Sequence, residues 1–344
     1  MTFKSVSEKT FLIAEAGVNH NGSLETAKKL CLEAKSAGAD AIKFQTWITE
    51  NIVLKGAPQA IYQEKNTKKV RDQYSLLKEL ELSFNEFEEI YNFCKSIDLE
   101  FLSTPDDVES LNFLVKNIGL KKIKIGSGEI TNIPFLTKIG KVADQMILST
   151  GMSNIRDIEC AIKALGNPKR NKLTILHCTS SYPCPFEYVN LEVLNTFKNK
   201  FDYKVGYSDH TLGITVAIGA VALGASVIEK HFTLNKNMRG PDHLLSLEPK
   251  EFKEMVNQIR IIEKAKGNNQ KNIQEIERDS KNKVTKMIVA INSIKKGAIF
   301  GENNLGLLRV GNHGLNGQDW NNLIGKRSKK SYEINDLINV EEIN

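Results

Sequence analysis

Eight apolar, strand-like runs recur along the chain, each ending in polar or small residues and each followed by a helical stretch. They close as Ala14-Glu15-Ala16-Gly17-Val18-Asn19-His20, Ile42-Lys43-Phe44-Gln45-Thr46, Leu102-Ser103-Thr104-Pro105 and Ile123-Lys124-Ile125-Gly126-Ser127-Gly128-Glu129. The other four are Ile147-Leu148-Ser149-Thr150-Gly151, Leu176-His177-Cys178-Thr179, Val205-Gly206-Tyr207-Ser208-Asp209-His210 and Val227-Ile228-Glu229-Lys230-His231-Phe232. Strands alternating with helices favour parallel crossovers, and eight of them with polar tips predict an α/β fold, a (β/α)8 TIM barrel with its chemistry at the strand C-termini. The tips carry imidazoles, carboxylates, lysines and hydroxyls, which suits a metal, an anion and a proton-transfer step in one pocket.

The intervening helices carry their own start and stop signals. Leu24 to Ala37 has helical periodicity (Leu24, Ala27, Leu30, Cys31, Ala34) and stops at Gly38. After the strand Asp40–Gln45 comes a long insertion through Tyr62 and Arg71, then a helix opened by Ser83 and Glu86 as a capping box. Pro105-Asp106-Asp107 opens another, with acids at the positive end of its dipole. Further helices are expected from about Asn132, Asn154, Asn190, Ile214 and Glu248. Residues 268–283 turn strongly polar and read as a linker or surface helix, so the barrel is expected to occupy residues 1–267 and a small second domain residues 284–344.

At 344 residues with 41% hydrophobic composition, the chain is long enough for one barrel, which takes about 250 residues, plus a small module. The start, Met1 to Thr10, has no apolar core of a leader, and the longest apolar candidate, Ile214 to Val227, is Ala/Gly-rich and short of a membrane span. A cytoplasmic protein without membrane partners is expected. The net charge of +6 is modest, and the basic residues are scattered apart from Lys326-Arg327-Ser328-Lys329-Lys330, so no nucleic-acid partner is expected. The five cysteines (Cys31, Cys94, Cys160, Cys178, Cys184) lack CxxC spacing and read as buried reduced thiols. Cys178 sits on a strand tip, but no base partner marks it as a nucleophile.

The strand-tip blocks, taken with Gly206-Tyr207-Ser208-Asp209-His210-Thr211 and Glu229-Lys230-His231-Phe232-Thr233, resemble the sialic (nonulosonic) acid synthase family over nearly the whole chain. Seven of these blocks in barrel order, all but Leu176-His177-Cys178-Thr179, carry the resemblance. The tail is similar to that family's antifreeze-like (SAF, β-clip) domain, through Ile294-Lys295-Lys296-Gly297, Asn304-Leu305, Arg309-Val310-Gly311-Asn312 and Ile324-Gly325-Lys326. Val310 stands where the family usually has Pro. In that family the small domain reaches into the partner's active site, so the resemblance implies a domain-swapped homodimer.

The implied reaction is condensation of phosphoenolpyruvate with the aldehyde of an open-chain N-acyl mannosamine-type sugar, with loss of phosphate. The resemblance assigns His210 and His231 as the only protein ligands of a divalent metal, Mn²⁺ first, with Mg²⁺, Co²⁺ or Zn²⁺ as alternatives. Lys43 and Lys124, costly to bury unless they meet an anion, would hold phosphoenolpyruvate together with Thr104, Ser127, Ser149 and Ser208. Glu15 and Glu129 are the expected catalytic carboxylates, Glu15 for proton transfer and Glu129 for orienting sugar or water. Gln45, Ser180, Tyr182 and Asp242, with Arg309 from a second chain, would bind the sugar. Some family members carry Asn where Ser180 stands. His20, His177 and His243 are expected to make hydrogen bonds and bind no metal.

Longer runs, among them Leu77-Lys78-Glu79-Leu80-Glu81-Leu82 and Gly240-Pro241-Asp242-His243, are most like the legionaminic acid branch of the family. That branch implies a 2,4-diacetamido-2,4,6-trideoxymannose acceptor, with N-acetylmannosamine, the substrate of N-acetylneuraminate synthases, as the alternative. Two other classes are weighed: a different metal-dependent barrel hydrolase or isomerase, and a non-catalytic carbohydrate- or ice-binding protein.

Overall fold

The computed structural model describes residues 9–67, 72–311 and 314–342. The chain start up to Glu8, Arg71 of the insertion and Asn312 of the C-terminal pattern lie outside these residues. The chain divides into two compact units, Met1–Gly267 and Asn268–Asn344.

The first unit contains eight parallel strands: β1 (Phe11–Gly17), β2 (Ala41–Thr46), β3 (Glu100–Pro105), β4 (Lys122–Ile125), β5 (Gln145–Ser149), β6 (Leu173–Cys178), β7 (Lys204–Asp209) and β8 (Val227–His231). Their hydrogen-bonded order runs β3-β2-β1-β8-β7-β6-β5-β4, and the two end strands pack side by side, giving a near-closed TIM-type barrel. Ile13, Ala41, Leu102, Ile147, Leu176 and Val227 fill its lower interior. A much larger core, including Leu30, Phe44, Phe87, Leu136, Ile158 and Phe252, lies between the strands and the helix layer. Gly206 is needed where the wall is tightest, since a Cβ there would stand 2.5 Å from both Leu176 Cδ2 and the Val227 carbonyl.

Register decides which side chains meet. Glu15 on β1 is level with Lys43 on β2 and His231 on β8, and Ser208 on β7 is level with Glu229 on β8. Level residues of parallel neighbours share a face, and faces alternate along each strand. Glu229 and His231 therefore face the barrel interior, while Lys230 between them turns outward to Asp209, itself level with it on β7. That ion pair spans 2.8 Å with neither side chain exposed, and Asp209 also accepts from the Thr211 N–H and hydroxyl at 2.8 Å.

Most helix starts follow the sequence signals. Ser83 and Glu86 form the capping box, with Ser83 N–H donating to Glu86 at 2.8 Å, and Asn132 and Asn154 cap their helices. The helix expected from Asn190 begins later, at Val193, after a short 3-10 turn at Phe186–Tyr188. Of Asp106 and Asp107, only Asp107 caps the following helix. The insertion folds into short helices at Thr49–Ile52, Ile61–Thr67 and Gln73–Leu80. Cys160 departs from the expectation of buried thiols: its helix turns it outward, and it is exposed.

In the second unit β9 (Lys286–Ala290) pairs antiparallel with β10 (Leu305–Arg309) over a core of Ile288, Phe300, Leu305, Leu323 and Tyr332. The polar segment read as a linker contains a 3-10 turn and a helix, Arg278–Val284. No helix among the described residues is long and apolar enough to cross a membrane.

Candidate active site

A cavity of about 560 Å³ opens at the C-terminal ends of the barrel strands. Two lysines and two glutamates make up its charged floor. Lys43 Nζ lies 2.6 Å from Glu15 Oε2 and 4.0 Å from Glu229 Oε1, and Lys124 Nζ lies 3.5 Å from Glu229 Oε1. Lys43 also donates to Thr104 Oγ1 at 3.1 Å and Lys124 to Ser149 Oγ at 2.7 Å. Ser208 donates to Glu229 at 3.2 Å, and Gln45 to Glu15 at 3.3 Å.

The four charges are unequal. Burial raises the Glu15 carboxyl above its ordinary range; Lys43 opposes the shift and Glu229 adds to it. Burial also acts on Glu229, but Lys124 and Lys43 outweigh it and hold that carboxyl low. Burial pulls both lysines down; for Lys43 the carboxylates of Glu15 and Glu229 prevail and raise it, whereas Lys124 stays lowered. Glu15 is thus the carboxyl of the floor that most readily holds a proton.

Above the floor, His210 and His231 stand with ring centroids 5.4 Å apart, and the Tyr182 ring lies 4.2 Å from His210 and 5.8 Å from His231. His210 Nδ1 is 2.8 Å from the Thr179 carbonyl, so Nδ1–H donates there, and in the neutral ring Nε2 carries the lone pair. His231 Nδ1 is buried without a hydrogen bond, its nearest carboxylate being Asp242 at 3.8 Å. His231 is driven well below its ordinary range by burial first and then by His210. His210 is held up at about 9, because Cys178 and the Thr179 carbonyl outweigh burial. Among the described residues no group of three or more His, Cys, Asp or Glu converges on a metal position. Two adjacent imidazoles on neighbouring strands, one with its tautomer fixed from behind, fit a cation whose remaining donors come from substrate and water.

A scan against protein families matches residues 30–271 to the NeuB family. The chain belongs to the NeuB family. It is a synthase of the nonulosonic (sialic) acid class, a phosphoenolpyruvate-dependent transferase that forms a carbon–carbon bond. It is 47% identical over 333 residues to an N,N'-diacetyllegionaminic acid synthase of Campylobacter jejuni, covering 96% of this chain and 99% of that one. A protein of the same name from Legionella pneumophila is 42% identical, over 92% of this chain and 90% of its own length. Among solved structures, the N-acetylneuraminic acid synthetase of Leptospira borgpetersenii in complex with citrate superposes with a TM-score of 0.71 at 33% identity, over 83% of this chain and 96% of that one.

In this NeuB-family enzyme the cavity brings together Glu15, Lys43, Gln45, Thr104, Lys124, Ser127, Ser149, Ser180, Tyr182, Ser208, His210 and His231. Asp242 does not line the cavity, and its Oδ2 lies 3.8 Å from His231 Nδ1. Arg309 ends β10 in the second unit, where it is exposed. Glu129, expected to turn inward, does not line the cavity: it sits in a 3-10 turn and accepts from Asn132 Nδ2 at 2.6 Å. The second carboxylate of the floor is Glu229, which the sequence reading passed over although its alternation with His231 marks it as inward-facing. Asp106 and Tyr62, whose ring stacks on Tyr182 at 5.0 Å, were passed over as well. Cys178 Sγ lies 3.8 Å from His210 Nδ1, the nitrogen whose proton goes to the Thr179 carbonyl. His177 and His243 are hydrogen-bonded, to the Val189 carbonyl and to Thr233 and Asn21 respectively, and His20 accepts from the Gly22 N–H.

Proposed function

We propose that this enzyme condenses phosphoenolpyruvate with open-chain 2,4-diacetamido-2,4,6-trideoxymannose, giving N,N'-diacetyllegionaminate and phosphate. The observation that carries the reading is the cavity floor, where Lys43, Lys124 and a ring of hydroxyls lie beneath two imidazoles. The acceptor is taken from the two legionaminic acid synthases, at 47% and 42% identity.

In this reading Lys43 and Lys124 hold the carboxylate and phosphate of phosphoenolpyruvate, with Thr104, Ser127, Ser149 and Ser208 donating to its oxygens. A divalent cation, Mn²⁺ first with Mg²⁺, Co²⁺ or Zn²⁺ as alternatives, would be held by His210 and His231 and supply Lewis acidity to the sugar aldehyde. Glu15, its carboxyl raised by burial against the pull of Lys43, exchanges a proton with the reacting oxygen or water. Glu229 keeps the lysines charged and oriented. Glu129 is assigned no proton transfer. Gln45, Ser180 and Tyr182 position the sugar. Tyr62 over Tyr182 helps exclude water.

The second unit is read as an antifreeze-like SAF domain and the enzyme as a homodimer, in which Arg309 of the partner subunit reaches the sugar. Light scattering on the purified chain and the sugar KM of Arg309→Ala test this; a monomer, or an unchanged KM, overturns it. The reaction is tested by assaying phosphate release and product mass with Mn²⁺, phosphoenolpyruvate and either sugar, beside a chelated control. A far higher kcat/KM for the diacetamido sugar is expected. Preference for N-acetylmannosamine would make the enzyme an N-acetylneuraminate synthase instead, and no condensation with either would overturn the reading.

A further inference from the structure

Asp106 follows the last residue of β3, and its N–H donates to the Thr46 carbonyl at 3.0 Å, which fixes the backbone at the rim of the cavity. Its neighbour Asp107 is fully engaged: it accepts from the N–H groups of Ile48, Glu109 and Ser110 at 2.8–2.9 Å and from the Ser110 hydroxyl at 2.6 Å. The Asp106 carboxyl accepts no hydrogen bond from any described residue. It lines the central cavity, and it is the one described residue that also lines a neighbouring groove of about 410 Å³. Beyond the two aspartates, the groove is lined by the apolar Val108, Pro134 and Phe135, by Asn51, Asn132 and Glu109, and by one cation, Lys138.

Position and charge decide which substrate meets this carboxyl. In a ring of eight strands β3 stands across from β7, so a ligand anchored at the imidazoles of β7 and β8 reaches Asp106 only with its far end. Burial and the nearby Glu129 bring the Asp106 carboxyl up to about 7, against the pull of Lys43. Phosphoenolpyruvate offers only acceptors, so it brings no donor for the Asp106 carboxylate. An amino sugar offers N–H and O–H donors, and an acylamino group adds a methyl for the apolar side chains and a carbonyl for Lys138.

We infer that Asp106 is a specificity-determining contact for the acceptor sugar, taking a hydrogen bond from an acylamino N–H whose acyl group enters the groove of Val108, Pro134, Phe135 and Lys138. The inference rests on the synthase reading above.

The test uses the full chain with Mn²⁺, phosphoenolpyruvate and whichever amino sugar the wild type turns over best. Asp106→Ala should raise the KM for that sugar about tenfold, the size of one hydrogen bond to a charged group. The KM for phosphoenolpyruvate should stay within about twofold. Asp106→Asn, which keeps a carbonyl acceptor, should recover most of the loss, and Lys138→Ala should raise the sugar KM about threefold, a weaker contact at the groove edge. A sugar KM unchanged in Asp106→Ala, or a parallel rise for both substrates, overturns the assignment while wild-type condensation keeps the synthase reading intact. If Asp106→Ala does not fold, Lys138→Ala decides, and an unchanged sugar KM there overturns the groove. Failure of the wild type to condense any amino sugar overturns both.

Discussion

Glu15 Oε2 lies 2.6 Å from Lys43 Nζ, with neither side chain exposing more than 3% of its surface. A carboxyl raised by burial and a lysine raised by carboxylates share one contact, and Glu229 stands 4.0 Å away as a second partner for the lysine. Glu15→Gln keeps the shape and removes the exchangeable proton, while Lys43 retains Glu229. Its kcat should fall by about 10²–10⁴, the usual span of general acid–base catalysis, with an unchanged circular dichroism spectrum. A kcat within tenfold of wild type would remove Glu15 from the chemistry.

The imidazoles lend themselves to a measurement that does not depend on turnover. Calorimetric titration of Mn²⁺ into chelator-treated enzyme should show binding, weakened in His231→Ala by more than about 100-fold, beyond what loss of an outer-shell partner alone produces. Chelation should abolish condensation and added Mn²⁺ restore it. Equal Mn²⁺ affinity in the two proteins would rule out His231 as a ligand.

Asp106 gives the stability of the barrel a pH signature. Its carboxyl titrates at about 7 when folded, because of burial first and Glu129 next. In the unfolded chain an Asp titrates near ~3.9. As pH rises past about 4 the unfolded chain releases this proton while the folded chain keeps it, so stability is lost up to about 7 and then levels off. The charged groups acting on it are Glu129, Lys43, Asp107 and Glu15. Asp106→Asn removes the effect, so its Tm relative to wild type should be least different near pH 4 and rise to a plateau above neutrality. A pH-independent difference would contradict the raised carboxyl.

Gly151 marks where the anion cradle is tightest. A Cβ there would stand 2.2 Å from Ser180 Oγ and 2.9 Å from Ser127 Oγ, and the Gly151 N–H donates to Ser127 at 2.9 Å. Gly151→Ala should therefore displace both serines and raise the KM for phosphoenolpyruvate about tenfold or more, with the Tm lowered by only a few degrees, since hydroxyls at a cavity wall yield more readily than a packed core. Gly206→Ala, facing the Val227 carbonyl, should instead compromise folding. Equal effects on KM and fold at both glycines would refute this division.

The sequence by itself determined the eight strands, their alternation with helices and the residues at the strand tips, because local periodicity and capping chemistry act over a few neighbours. It placed Lys43, Lys124, Thr104, Ser149, His210 and His231 in one pocket for the same reason: a strand end in a parallel barrel can face only one end of the molecule. The tertiary structure decided what those residues meet. Register set Glu15 beside Lys43 and His231, and alternation along β8 turned Glu229 inward and Lys230 outward to Asp209. Glu129 left the cavity because the chain after β4 enters a 3-10 turn before the next helix, a rotation no local pattern fixes. Asp106 and Asp107 look alike in sequence, yet one caps a helix and the other stands free between two cavities, since only folding decides which carboxyl meets the backbone N–H groups.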